Sequence, residues 1–138
     1  MTEAQLTKRL MTVLAGPGFG CEVLTFTPSR FSPTGIPDRY VFHPCFGAIW
    51  MEMKKAPGGR IAPLQMRMHC RLNSKGAIAV FAMLHENGCV EYLLWKNPSV
   101  PFKGCVLTAE QVRDPTFHFN RLRSFAGTSE MAELPINP

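Results

Sequence analysis

Leu6, Leu10, Val13 and Leu14 recur on one stripe at helical spacing, between a capping-box start (Thr2 with Gln5) and a Gly16-Pro17 stop. This predicts an N-terminal amphipathic helix. Cys21 to Thr27 reads as a strand. Pro28 to Pro37 carries three prolines, a glycine and Arg30, a rigid non-helical loop. Apolar and polar positions then alternate on both sides of a turn in His43 to Gly47, which predicts a hairpin symmetric about Cys45. On that register Asp38 faces Glu52 and Tyr40 faces Trp50. Ala56-Pro-Gly-Gly-Arg60 is a turn, and a second helix runs from about Ile61 to Lys75, capped at Gly76. Its expected buried arc is Ile61, Leu64, Met68 and Leu72, with Gln65 inside it. Arg67, Cys70 and Ser74 point away, Arg71 lies on the flank, and His69 sits at the rim as a hydrogen-bonded structural histidine.

Ala77 to Leu84 is apolar throughout, the mark of a strand covered on both faces, and Cys89 to Trp95 follows His85-Glu-Asn-Gly88 as its hairpin partner. Asn97 to Gly104 reads as a loop. Thr108 with Gln111 opens a short helix that Asp114-Pro115 ends. Residues 116 to 126, with Phe117, Phe119, Phe125, Arg121 and Arg123, fit either a strand or a helix, and Glu130 to Pro138 reads as a frayed tail. The expectation is one α/β domain over 1–138: a core at about 2–96, a C-terminal extension over 97–126, and a flexible tail over 127–138.

Composition narrows the partners. The chain has 138 residues, enough for one sizeable core, with 46% hydrophobic and 18% charged residues. Fifteen Lys and Arg against ten Asp and Glu give +5, compatible with a polyanionic partner and not diagnostic of one. Five dispersed cysteines without a C-x-x-C pair argue against a disulfide framework and against a zinc site. The histidines show no metal-ligand spacing. Lys8 and Arg9 interrupt the first apolar stretch, and no apolar run approaches the ~20 residues of a spanning helix, so the expected location is cytoplasmic, without membrane contact.

Candidate chemistry centres on Asp38, Glu52 and Lys54. Facing carboxylates repel at cross-strand distance and call for a shared proton or an intervening cation. Oxygen ligands suit a hard divalent ion such as Mg²⁺ or Mn²⁺. Gly35-Ile-Pro-Asp38-Arg, Trp50-Met-Glu52-Met-Lys54-Lys, the Gly58-Gly59-Arg60 turn and Gln65 occur in this order. Together they resemble the PD-(D/E)XK nucleases, in particular their VRR-NUC branch, over about residues 2 to 84.

The resemblance implies a restriction-endonuclease-like mixed sheet flanked by helices. It also implies an Mg²⁺-dependent DNA endonuclease, with Mn²⁺ able to substitute. Asp38, Glu52 and the backbone carbonyl of Met53 would hold the metal. Lys54 would sit near the attacking water or the scissile phosphate, and Gln65 would orient one of them. Glu3 is a candidate third carboxylate, although an acid in a first helical turn ordinarily just complements the helix dipole. Arg39, Lys55 and Arg60 are candidate DNA contacts. Stand-alone members of this branch are phage and bacterial enzymes cutting branched DNA, including four-way junctions, which implies a two-fold homodimer. Two rival readings are a catalytically silent nucleic-acid-binding module and a small interaction domain in which the acids and the lysine form only an ion pair.

Overall fold

The computed structural model describes residues 1–26, 35–99 and 103–126. The N-terminal helix α1 (Glu3–Ala15) starts at the expected capping box. Thr2 Oγ1 accepts from the Gln5 N–H (3.1 Å), and Gln5 Oε1 accepts from the Thr2 N–H (2.8 Å). Six strands follow in β1 (Glu22–Thr25), β2 (Arg39–His43), β3 (Gly47–Ala56), β4 (Ala79–His85), β5 (Val90–Leu94) and β6 (Lys103–Leu107). Helix α2 (Pro63–Ser74) joins β3 to β4, and α3 (Ala109–Val112) and α4 (Pro115–Ala126) close the described chain.

The strands lie side by side in sequence order. Every neighbouring pair is antiparallel except β3 and β4, which are parallel and therefore need a crossover, supplied by α2. The result is a mixed sheet flanked by helices, the architecture expected from the sequence. Among the described residues no helix is long and apolar enough to cross a membrane.

Alternation divides the sheet into two faces. One carries Val41, Ile49, Met51, Met53, Val80, Ala82, Leu84, Tyr92 and Leu107, all buried with Leu6, Leu10 and Leu14 of α1 and Phe119, Leu122 and Phe125 of α4. The His118 ring ties α4 in: its Nδ1 donates to the Val112 carbonyl (2.7 Å), which leaves Nε2 to accept from the Tyr92 hydroxyl (2.9 Å). The other face holds Asp38, Tyr40, Trp50, Glu52, Lys54 and Phe81, and among the described helices only α2 covers it, over the β3–β4 half.

Three expectations change here. First, α2 is rotated: Leu64 is 45% exposed, and the residues it buries are His69, Cys70 and Asn73. Polar groups set this orientation. Asn73 Nδ2 donates to the carbonyls of Ala79 (2.9 Å) and Trp95 (2.8 Å), and its Oδ1 accepts from the Ala79 N–H (2.7 Å). The His69 ring lies flat on Phe81, with centroids 3.8 Å apart and planes 10° apart. Cys70 therefore points inward, against the expectation. Second, the 97–104 loop ends early, because Lys103 opens β6 against Leu94 of β5. Residues 103–126 join the same sheet and core. Third, 115–126 resolves as a helix. Asp114-Pro115 stops α3 and also starts α4, with Asp114 Oδ1 accepting from the Phe117 N–H (3.2 Å). The expected tail at 127–138 and the loop residues 27–34, with Arg30, lie outside the described residues.

Candidate active site

The hairpin register is the one expected. Arg39 pairs with Met51 and Tyr40 with Trp50, so one further step sets Asp38 opposite Glu52. The Trp50 N–H donates to the Ile78 carbonyl of the β4 side (2.8 Å). Main-chain groups alternate along a strand, so Met51, Met53 and Lys55 direct theirs away from β4, toward the β2 side. Asp38 and Glu52 thus form a non-hydrogen-bonded pair, the closer kind, with Cα atoms about 4.5 Å apart.

Beyond Met51 the ladder to β2 stops. Its continuation would pair Met53 with Pro37, which has no N–H to give. The Met53 carbonyl is consequently directed toward the β2 side of the strand, with no β2 donor opposite it. The neighbouring Lys55 N–H donates to Glu3 Oε2 (3.2 Å), and the Lys55 carbonyl accepts from the Gly59 N–H (2.7 Å).

Two glycines of the motif answer to close approaches. Gly35 has φ +84°, and a Cβ there would lie 2.4 Å from the Leu64 carbonyl oxygen at the start of α2. A Cβ at Gly59 would lie 2.4 Å from the Lys55 carbonyl oxygen. Only bare backbone lets the loop before Asp38 and the turn after Lys54 close against the site.

Both acids are held in a strained electrostatic state. Glu52 is buried at 8% exposure, and burial, then the neighbouring Asp38, pushes its carboxyl up to about 7, opposed in part by Lys54. Burial also raises Asp38, against the pull of Arg39. Asp38 Oδ2 pairs with Arg39 Nη1 (3.2 Å), while the buried Oδ1 has no hydrogen-bond partner among the described residues. An orphaned buried oxygen beside a second carboxylate and a carbonyl is a donor set suited to a hard cation. With two carboxylates and one carbonyl it suits Mg²⁺, which keeps most of its waters, better than Ca²⁺, which takes six to eight oxygens.

The remaining expected residues fall into two groups. Gln65 comes to the site: it lines an open cleft with Phe26, Gly35, Ile36, Asp38, Glu52, Ala62 and Leu64, and its Oε1 caps α2 by accepting from the Ala62 N–H (3.1 Å). Lys54 is half-buried on the same face and makes no ion pair among the described residues. Glu3 approaches from the opposite face, because α1 packs there, and lines a second cleft with Asp38, Arg39 and Met53. Among the described residues no three histidine, cysteine or carboxylate side chains gather as a metal cage, and Glu3 stands at the edge of the pair.

Arg39 folds back on Asp38, Lys55 lies beside Pro57, His85 and Glu86, and Arg60 is exposed beyond the turn. These three cations are dispersed around the site and do not form one patch.

Phe26 is absent from the expected site, and His69 departs from the hydrogen-bonded histidine expected at the rim of the α2 arc. Phe26 lines the carboxylate cleft; carrying the β2 register back one strand was the signal that would have found it. His69 is fully buried with neither ring nitrogen hydrogen-bonded, and burial lowers it to about 4. The Ala79 backbone lies near enough to favour the charged ring slightly without closing a bond. No sequence signal marks that state.

No family model matches this sequence, and neither does any curated protein. Among solved structures, the chain is similar to one described as a 1.6 Å resolution structure of Hjc from Archaeoglobus fulgidus, a Holliday junction resolvase from an archaeal hyperthermophile. The identity is 14% and the TM-score 0.49, over 91% of this chain and 97% of that one.

Proposed function

We propose that this chain is a divalent-cation-dependent deoxyribonuclease that hydrolyses phosphodiester bonds in branched DNA. What carries the reading is the pairing of Asp38 with Glu52 across the hairpin, with an unpartnered Asp38 oxygen and a Glu52 carboxyl pushed to about 7. Two acids held this way repel unless a cation joins them. Asp38, Glu52 and the Met53 carbonyl would hold Mg²⁺, or Mn²⁺ in its place. When bound, the ion eases deprotonation of the attacking water and offsets negative charge at the phosphate. Lys54, a point charge on a flexible stem, draws the anionic phosphate onto the same face. Gln65, anchored through its carbonyl oxygen to the start of α2, keeps its amide N–H groups to orient the water or Lys54.

The branched substrate is what the sequence resemblance implies. Two strands cut symmetrically fit a two-fold homodimer, and sedimentation of the purified protein checks this directly. The decisive assay offers labelled single-stranded, duplex, flap and four-way DNA in Mg²⁺ and in EDTA. Wild type should cleave the branched forms in Mg²⁺ alone. Asp38→Ala and Lys54→Ala should retain fold and binding and lose cleavage at least 100-fold, the scale expected for an electrostatic group at the reacting centre. Intact strands from wild type in Mg²⁺ and Mn²⁺ would refute the proposal.

A further inference from the structure

The sheet face that carries the acids also carries a line of side chains running across the strands. Thr25 pairs with Arg39, so the next step sets Phe26 beside Asp38, and the Phe26 N–H donates to the Asp38 carbonyl (2.8 Å). Glu52 lies opposite Asp38, and Phe81 beside Glu52. Phe26, Asp38, Glu52 and Phe81 therefore occupy one row, one strand apart, at about 4.8 Å per step. α2 covers the Phe81 end, through His69. At the Phe26 end no described helix lies over the row: the ring is 42% exposed and lines the carboxylate cleft.

That ring is also supported from the adjacent row. Trp50 packs against Phe26 with centroids 5.3 Å apart, and Tyr40 meets Trp50 edge-on at 5.1 Å. Leu24 and Phe42, on the same face, are exposed as well. A soluble protein seldom leaves a contiguous apolar patch open without a use. Here the patch borders one buried acid, Glu52, and one half-buried acid, Asp38, and its innermost member is an aromatic ring held in place by its backbone bond to Asp38.

We infer that Phe26, backed by Trp50, is a stacking platform for an unpaired nucleobase next to the scissile phosphodiester. The inference rests on the nuclease reading for the position of that phosphate. A ring about 5 Å from one acid and about 10 Å from the other, measured across the strands, is within one nucleotide of a phosphate bound between them. A base inside a duplex has both π-faces occupied by its neighbours; only a splayed or single-stranded base offers one to a protein ring. The site thus selects for an unstacked base at the point of cleavage, the feature that separates branch points and single strands from continuous duplex.

The test reads binding in EDTA, where no strand is cut. The probes are oligonucleotides carrying 2-aminopurine at an unpaired position of a branched or single-stranded substrate, or inside a continuous duplex. Wild type should quench the unpaired probe. Phe26→Ala and Phe26→Leu should lose that quenching and weaken binding about 5- to 150-fold, Phe26→Tyr should keep both, and duplex affinity should change less than about twofold.

Equal weakening of duplex and unpaired DNA by Phe26→Ala, or wild-type behaviour of Phe26→Leu, overturns the inference. So does a shift from dimer to monomer on Phe26→Ala, which assigns the patch to a second copy of the chain. The same wild-type sample assayed in Mg²⁺ separates the two proposals. Quenching without cleavage sinks the nuclease reading alone; cleavage without quenching sinks only the stacking platform; failure to bind any DNA sinks both.

Discussion

Glu52→Gln should make the metal-free protein more stable at pH 8 and change it far less at pH 5. A carboxyl raised from 4.5 to about 7 keeps its proton in the folded state over a range where the unfolded chain has released it. Stability from this group is therefore full below pH 4.5 and is lost as pH rises through 7. At about 1.4 kcal/mol per tenfold change, the gap is worth roughly 3 kcal/mol, and about 2 once partial solvent access is allowed for. Glutamine has the shape of the protonated acid and cannot ionise. In a domain of this size about 2 kcal/mol corresponds to roughly 5–8 °C in Tm.

His69 makes the comparison with wild type necessary. Its lowered pKa costs the fold stability as pH falls from 6.5 to about 4, the opposite sign in an overlapping window. The two slopes largely cancel in wild type, so only the difference between the proteins isolates Glu52. Thermal melts in EDTA at pH 5, 6, 7 and 8 supply it. A Tm difference that does not grow between pH 5 and pH 8 refutes the assignment of Glu52 as a carboxyl destabilised by its site. Adding Mg²⁺ at pH 8 should raise the Tm of wild type and leave Glu52→Gln nearly unmoved.

Further expectations concern the supports of the site. Gly35→Ala must oppose both a left-handed φ and a backbone clash with Leu64, so it should lose at least about 2 kcal/mol, seen as a fall in Tm, together with cleavage. Asn73→Ala strands the Ala79 N–H and two carbonyls, and a loss of about 3 kcal/mol or more should appear in urea unfolding. His69→Phe keeps the ring stacked on Phe81 and removes two unpaired nitrogens. It should gain about 1 kcal/mol near neutral pH and flatten the acid limb of the stability curve, checked by melts from pH 4 to 7.

The facing of Asp38 and Glu52 was legible because a symmetric alternation about one tight turn leaves little choice of register, and a one-residue slip would expose Val41 and Ile49. The orientation of α2 was not. Its buried side is made by a histidine and an asparagine, and a pattern read from hydrophobicity cannot count those as core. β6 escaped for a related reason: it is an edge strand, and its Val106 is more than half exposed, so the sequence shows no clean alternation there. Glu3 is expected at the edge of the carboxylate pair, yet no one-dimensional pattern says from which side of the sheet a helix approaches. Gln65 is expected on the sheet-facing side and is found there, on an arc from which Leu64 turns out to be exposed while Ile61, Met68 and Leu72 are half-buried.

Where β3 continues past β2, its outer rim is of the kind that invites another extended chain to add on and seed aggregation. Here two of the vacancies are filled, since Glu3 takes the Lys55 N–H and the Gly59 N–H takes the Lys55 carbonyl, while Pro37 has no N–H to give the Met53 carbonyl. A would-be added strand needs several bonds in succession and finds a gap one residue wide. A single small ion would need no more than that, so on the proposed reading the fold could offer a main-chain ligand to a cation without leaving itself adhesive.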